Sequence, residues 1–372
     1  MSTIRWTEDR TARSARWHSE NATPPPARVV VADDRMPADT AHRLAAGGTA
    51  LLWRGDYHNA RHLLRAMGRR LDRAAPRRPG ATALDMYRAH RAARGQRARV
   101  LGRLVVLLDA AYALDLRRAP DVRAACAEAY GPGRGPMVVS LTELLGVIGA
   151  RQWRVRGVEV PALGARVHPH YGVFSPVRGE YVDLVARAPL PGRRTAFDLG
   201  TGTGVLATVL ARRGVGRVTA TDISARARAC ARDNVRRLGL GNRVQVADGP
   251  ALYPEGRADV VVCNPPWLPG SPSSALERGV YDADSGMLRA FLTGLAAHLE
   301  PGGEGWLILS DLAERLGLRR EDEVTEAIAA AGLHVVDRMD THPNHRRARD
   351  TTDPLHAARG AEVTSLWRLS AP

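Results

Sequence analysis

Between an apolar run at Thr195–Leu199 and a helical pattern opening at Gly204, the chain reads Asp198-Leu199-Gly200-Thr201-Gly202-Thr203-Gly204. Glycines at alternate positions let a backbone turn sharply and come close to a ligand with no side chain in the way. A strand, a glycine turn and a helix in that order open a βα unit, and the residues downstream keep the alternation. VTATD ends at Asp222, a helical pattern covers 225–238, VQVA and ADVVVC read as two further strands, a second helical pattern covers 285–299, and WLILS comes after it. This alternation predicts a parallel sheet with right-handed crossovers and helices on both faces. LHVVDRMD and EVTSLWRL, separated by a loop, predict an antiparallel pair at the sheet edge.

The spacing of the glycines discriminates between cofactor classes. A dinucleotide fingerprint started at Gly200 would place its third glycine at 205, where the chain has Val205; here it arrives one residue earlier, at Gly204. With Asp198 two residues ahead, the pattern is DxGxGxG, and it resembles the first motif of the class I S-adenosylmethionine (SAM) methyltransferases. That resemblance implies a Rossmann-like sheet, SAM as cofactor and S-adenosylhomocysteine as product. Asp198, Gly200, Thr201, Gly202 and Gly204 would form the loop against the methionine part. Asp222, ending the second strand, would accept hydrogen bonds from both ribose hydroxyls, with Ile223 beside it, and Asp248 would meet the adenine amino group. A carboxylate suits the ribose because it is acceptor-only when ionised.

Directly after ADVVVC stands Asn264-Pro265-Pro266-Trp267. Two successive prolines cannot extend a sheet, so they stiffen a loop at the strand's carboxyl end, where open α/β sheets bind ligands. The quartet resembles the (Asn/Asp)-Pro-Pro-(Tyr/Phe/Trp) motif of methyltransferases acting on planar nitrogen. The resemblance implies that the Asn264 side-chain oxygen and the Pro265 carbonyl accept the two N–H bonds of a target NH2, that Trp267 stacks on its plane, and that Asn264 borders the cofactor. Amide and aromatic amine nitrogens delocalise their lone pair, and two acceptors drawing on the hydrogens turn that pair toward the methyl group. Positioning and electrostatics then carry catalysis without a covalent enzyme intermediate.

A narrower resemblance covers about 150–310. Pro176-Val177-Arg178-Gly179-Glu180-Tyr181-Val182 matches the spacing of the segment before the first motif in the group of release-factor glutamine and small-domain RNA N-methyltransferases. Val177, Gly179, Tyr181 and Val182 depart from that segment, and Trp267 stands where those enzymes usually carry tyrosine. Tyr171 and Phe174, which precede that segment, and Arg178 and Glu180 within it are expected to border the substrate pocket, while His168 and His170 read as loop histidines.

Ahead of this region, residues 1–27, closing on Pro24-Pro25-Pro26, read as a disordered arm, and 28–155 as a mainly helical domain. ARVVVADD and TALLWRGD are its two strands, and the apolar stretch Val100 to Leu114 its buried helix. Residues 73–82 read as a linker. Residues 156–190 read as a hairpin and helix leading into a methyltransferase domain at 191–372. The expected fold is therefore α/β: a Rossmann-like parallel sheet with an antiparallel last pair, preceded by a mostly helical domain.

All 54 basic residues are arginine, and the formal charge is +15. Residues 1–150 hold 25 arginines against 14 acidic side chains, and residues 151–372 hold 29 against 25. The asymmetry suits an acidic or phosphate-rich partner, although wholesale replacement of lysine also reads as coding bias. Charges scattered through the first thirty residues interrupt the apolar run a signal peptide needs, which predicts a cytoplasmic protein without a membrane span. Cys126, Cys230 and Cys263 lack metal-ligand spacing and read as small buried residues, with no metal expected. His342, His345 and His356, with Arg346, Arg347 and Arg349, read as a solvated basic loop. The expected activity is SAM-dependent N-methylation of a protein or RNA; the alternatives are N-methylation of a small metabolite and O-methylation.

Overall fold

The computed structural model describes residues 2–74, 82–343 and 350–372. The chain divides into two units, residues 1–81 with 88–152, and residues 82–87 with 153–372. The first contains β1 (Thr3–Glu8), β2 (Thr11–Trp17), β3 (Val29–Ala32), α1 (Ala38–Ala46), β4 (Ala50–Trp53), α2 (Tyr57–Ala74), most of α3 (Ala83–Leu101), β5 (Leu104–Leu108), α4 (Arg123–Tyr130), β6 (Met137–Ser140) and most of α5 (Leu141–Arg156). Its six strands form one sheet in the order β1-β2-β6-β5-β4-β3.

The first unit is therefore α/β, which corrects the expectation of a mostly helical domain. ALLW in β4 is buried at every position, as are the first three residues of both LVVLL in β5 and MVVS in β6. Short apolar runs of this kind carry no period that tells a buried strand from a buried helix. For the same reason Val100 to Leu114 is not one helix: α3 ends at Leu101 and β5 takes Leu104–Leu108. Nor are residues 1–27 a disordered arm. Ile4 and Trp6 alternate inward on β1, as do Ala15 and Trp17 on β2, and they pack with Leu52, Val105 and Val138. Arg16 and Trp17 pair in parallel with Met137 and Val138, joining the hairpin to β6. The exposed arginines and threonines between the buried positions disguised a two-faced hairpin as a polar arm.

The second unit opens with the antiparallel hairpin β7 (Val158–Val160) and β8 (Ala165–Val167), then α6 (Glu180–Arg187). Next come β9 (Thr195–Leu199), α7 (Val205–Arg212), β10 (Arg217–Thr221), α8 (Ala225–Arg237), β11 (Val244–Val246), β12 (Ala258–Cys263), β13 (Leu268–Pro269), β14 (Tyr281–Asp282), α9 (Gly286–Leu295) and β15 (Leu299–Ser310). The chain ends with α10 (Leu312–Arg315), α11 (Glu323–Ala330), β16 (His334–Thr341), α12 (His356–Gly360) and β17 (Thr364–Ser370). Seven strands form a sheet in the order β11-β10-β9-β12-β15-β17-β16. The first five run parallel, and β17 lies antiparallel to both β15 and β16.

All six residues of β12 are buried, as befits a central parallel strand covered on both faces. Val260 and Val262 pack into one apolar layer, Val261 and Cys263 into the other. Strand order reverses between β9 and β12, and that reversal opens a crevice at the strands' carboxyl ends. Leu199 pairs with Thr221 on one side and Cys263 on the other. Gly200, Asp222 and Asn264 therefore leave three adjacent strands at one level, each strand roughly 4.8 Å from the next.

The three cysteines are buried, and among the described residues no helix is long and apolar enough to cross a membrane. His345, Arg346, Arg347 and Arg349, and most of the linker expected at 73–82, lie outside the described residues.

Candidate active site

Gly200, Gly202 and Gly204 have φ of 72°, 54° and 82°, the left-handed region that favours glycine. The turn is fastened at its back, where the Thr201 N–H donates to the Thr221 carbonyl at 2.8 Å. Asp198 lies beneath it, 1% exposed, and its Oδ2 accepts the Thr201 hydroxyl at 2.6 Å and the Ala207 N–H at 2.9 Å. Burial pushes the Asp198 carboxyl up to about 6, with the Asp222 charge adding to the rise and those two donors opposing it. Asp198 thus braces the turn from inside the protein.

Asp222 faces the turn from the next strand. Its Oδ2 accepts the Gly202 N–H at 3.0 Å and its Oδ1 the Ser224 N–H at 2.8 Å. Burial raises its carboxyl above the ordinary range while the two N–H groups pull it down. A carboxylate has about four lone-pair sites, so acceptor capacity remains for a ligand. Next to it Ile223 is 81% exposed, an apolar side chain left uncovered at the mouth. Asp248 is drawn outward: its carboxylate stands in solvent and pairs with Arg232 at 2.6 Å.

Helix α9 begins over the turn. The Met287 N–H donates to Asp282 Oδ2 at 2.6 Å, and a Cβ added to Gly200 would come within 2.5 Å of Met287 Cε. The two residues leading into that helix, Asp284 and Ser285, have φ of 54° and 52°, a conformation that side chains other than glycine, asparagine and aspartate adopt at a cost.

In the quartet, Asn264 and Trp267 are half-buried and Pro265 is buried. The Trp267 Nε1–H donates to Asn264 Oδ1 at 2.8 Å. Over the indole, 4.6 Å from its centroid, lies the guanidinium of Arg178, which donates to Glu180 Oε1 at 2.7 Å and Glu362 Oε1 at 3.0 Å. Beyond the quartet, Leu268–Pro269 pair in parallel with Tyr281–Asp282, and buried Arg319 reaches Ser285 Oγ at 3.3 Å and the Trp267 carbonyl at 3.5 Å.

The residues expected at the substrate pocket separate into two groups. Arg178 and Glu180 gather at Trp267, whereas Tyr171 lies under the Arg226 guanidinium at 5.3 Å and Phe174 packs on Gly279. His170 Nε2 contacts Asp233 at 3.1 Å, and His168 Nδ1 contacts the Arg154 carbonyl at 2.6 Å. Buried Asn234 joins this loop to the turn, accepting the His168 N–H at 2.7 Å and donating to the Thr203 carbonyl at 2.9 Å. Met287 and Glu362 carry no local pattern that marks them in the sequence and reach the site through the fold, whereas Asn234 closes the segment TDISARARACARDN, which resembles the second-strand segment of the release-factor glutamine methyltransferase group.

Residues 165–315 match the family model described as methyltransferase small domain. The chain is 40% identical over 146 residues to the ribosomal protein L11 methyltransferase of Pelotomaculum thermopropionicum, a match covering 39% of each protein. It is 34% identical over 172 residues to the release factor glutamine methyltransferase of Cereibacter sphaeroides, covering 42% of this chain and 58% of that one. The tRNA1(Val) (adenine(37)-N6)-methyltransferase of Shewanella sp. strain MR-4 is 32% identical over 107 residues, 27% of this chain and 45% of its own length. The chain thus spans between about two fifths and three fifths of the relatives it matches. The glycine turn, Asp222 and the quartet all fall inside the stretch that matches the methyltransferase small-domain model.

Proposed function

We propose that the protein is a SAM-dependent methyltransferase acting on a planar nitrogen of a protein or an RNA. The observation that carries this reading is the strand register that brings the bare glycine turn, Asp222 and Asn264 out of the sheet in one row. The residues present fit the cofactor. A turn with no side chains and left-handed φ at each glycine admits the amino-acid part, Asp222 offers carboxylate lone pairs to the ribose, and exposed Ile223 offers an apolar surface to the adenine. The cofactor would supply an electrophilic methyl group carried on a sulfonium.

The protein's part is then to aim the acceptor. Asn264 Oδ1 and the Pro265 carbonyl accept the two N–H bonds of the target, which holds the nitrogen in place and directs its lone pair at the methyl carbon. As nitrogen gains the methyl group it sheds one N–H proton to solvent, a loss that the two acceptors favour. The relatives' names support a macromolecular acceptor: ribosomal protein L11, a release factor and a tRNA adenine. A cavity of about 670 Å³ beside β11 is lined by Arg217, Arg232, Arg236 and Arg243; Arg232 and Arg236 pair with Asp248 and Asp233, and the remaining positive charge suits an acidic or phosphate-bearing acceptor.

Incubation of the protein with methyl-tritiated SAM and a cell extract, and then separation of protein, RNA and small molecules, tests the proposal. Label is expected in protein or RNA as a methylated nitrogen. Label confined to small molecules, or recovered as a base-labile ester, would overturn it.

A further inference from the structure

Trp267 differs from the other aromatic residues its motif allows in one respect: it carries an N–H at the ring edge. That N–H, a donor only, meets Asn264 Oδ1 at 2.8 Å. The side-chain amide of an asparagine turns about a broad, roughly two-fold torsion, and its two orientations exchange oxygen for nitrogen. A donor fixed at one edge selects the orientation that places oxygen there. Oδ1 has two lone pairs, and the indole takes one of them. The other stays open for an N–H of the target. In the opposite orientation the amide NH2 would face the target NH2, donor against donor.

The indole is itself held. Arg178 lies over its face at 4.6 Å and is tied to Glu180 and to Glu362. Glu362 is 1% exposed and also receives the Ser310 hydroxyl at 2.5 Å. A buried carboxylate whose Oε1 already accepts the Ser310 hydroxyl gives the guanidinium little freedom to leave the ring. Arg178 therefore covers one face of the indole, and the chain Ser310–Glu362–Arg178–Trp267–Asn264 runs from the protein interior to the acceptor oxygen.

We propose that Trp267 is a positioning residue for methyl transfer, its indole N–H presenting the Asn264 amide oxygen to the target nitrogen while Arg178 and Glu362 hold the indole in place. The proposal rests on the planar-nitrogen reading of the site. It assigns to Trp267 an edge hydrogen bond where the sequence pattern implied stacking on the target.

Two measurements on the full chain test it. In protein labelled with 15N at the indole nitrogens, the Trp267 Nε1–H, identified by its loss in Trp267→Phe, should exchange with solvent at least tenfold more slowly in the wild type than in Asn264→Ala. Equal exchange would overturn the proposal. Replacing Trp267 by benzothienylalanine keeps the ring and removes only the N–H. With methyl-tritiated SAM and the total RNA or total protein of a cell extract as acceptor, turnover of that variant should fall about tenfold, equivalent to about 1.4 kcal/mol. Its KM and its affinity for S-adenosylhomocysteine should stay within about twofold of wild type. Wild-type turnover by the benzothienyl variant, with Asn264→Ala impaired, would sink this inference alone; wild-type turnover by Asn264→Ala would sink the planar-nitrogen reading as well.

Discussion

Asp222 grips the glycine turn from the neighbouring strand, its Oδ2 accepting the Gly202 N–H at 3.0 Å while its Oδ1 takes the Ser224 N–H at 2.8 Å. One carboxylate thus shapes the loop and, in the proposed function, would also offer the ribose its acceptors. Asp222→Ala removes both functions, and its affinity for S-adenosylhomocysteine should fall by about one to two orders of magnitude, the worth of ~1–3 kcal/mol of lost polar partnership. Asp222→Asn keeps one oxygen and should lose less. Calorimetric titration decides the matter, and wild-type affinity in the alanine variant would remove Asp222 from the cofactor site.

Gly200 faces two constraints, a φ of 72° and a Cβ position 2.5 Å from Met287 Cε. Gly200→Ala should therefore lower the melting temperature and weaken S-adenosylhomocysteine binding. The end of a methionine side chain can move, whereas a left-handed backbone still costs an L-residue about 1–2 kcal/mol. Adding Met287→Ala should consequently recover only part of the loss. Thermal denaturation of the single and double variants would read this directly, and a single variant that melts with the wild type would show that the turn does not need its glycine.

Asn264→Ala should leave cofactor affinity within about twofold of wild type and cut turnover by ~10²–10³, the effect of deleting one preorganised hydrogen-bonding group at a reacting centre. A rate assay alongside calorimetry separates the two quantities. Turnover at the wild-type rate would direct attention to an oxygen acceptor.

Burial holds the Asp198 carboxyl at about 6, above the ~3.9 expected in an unfolded chain. The folded protein therefore binds this proton more tightly than the unfolded one. Its stabilising contribution is complete below about pH 4 and disappears as pH rises through about 6, a change on the order of 3 kcal/mol. Asp198→Asn retains an oxygen to accept the Thr201 hydroxyl and the Ala207 N–H, and it should abolish that slope. Denaturant unfolding of both proteins from pH 4 to 7 should show the difference in stability growing with pH in favour of asparagine. Parallel curves would mean that the carboxylate is better solvated than its position indicates.

The alternation of strands and helices from Thr195 to Ser310 was legible because α7, α8 and α9 show a helical period between short apolar runs, whereas α10 and α11, between β15 and β16, were not read from the sequence. The final antiparallel pair was legible from its two runs and intervening loop. The N-terminal sheet was not. Leu104–Leu108 continues an apolar stretch from the end of α3 without a break, and Trp6 and Trp17 sit among arginines that conceal their common inward face. In the site, the glycine turn and its Asp198 were legible as a cofactor loop, and the fold adds that Asp198 lies under the turn, accepting from Thr201 and Ala207. The adenine contact that the resemblance implies for Asp248 remains a proposal, and its exposed carboxylate pairs with Arg232. Both placements are matters of side-chain direction, which no spacing rule encodes.

Glu362 stands 47 residues past the last position of the 165–315 match, yet it anchors the arginine that covers Trp267. The next strand in the chain, β17, is inserted between β15 and β16. A fragment cut at Arg315 would leave the backbone of β15 with an open edge, and Arg178 would lose one of its two carboxylate partners. The stretch that matches the family model and the stretch that holds the candidate site therefore have different ends in this chain. Grafting or shuffling at the family boundary would preserve every recognisable motif and still discard the part that steadies the quartet.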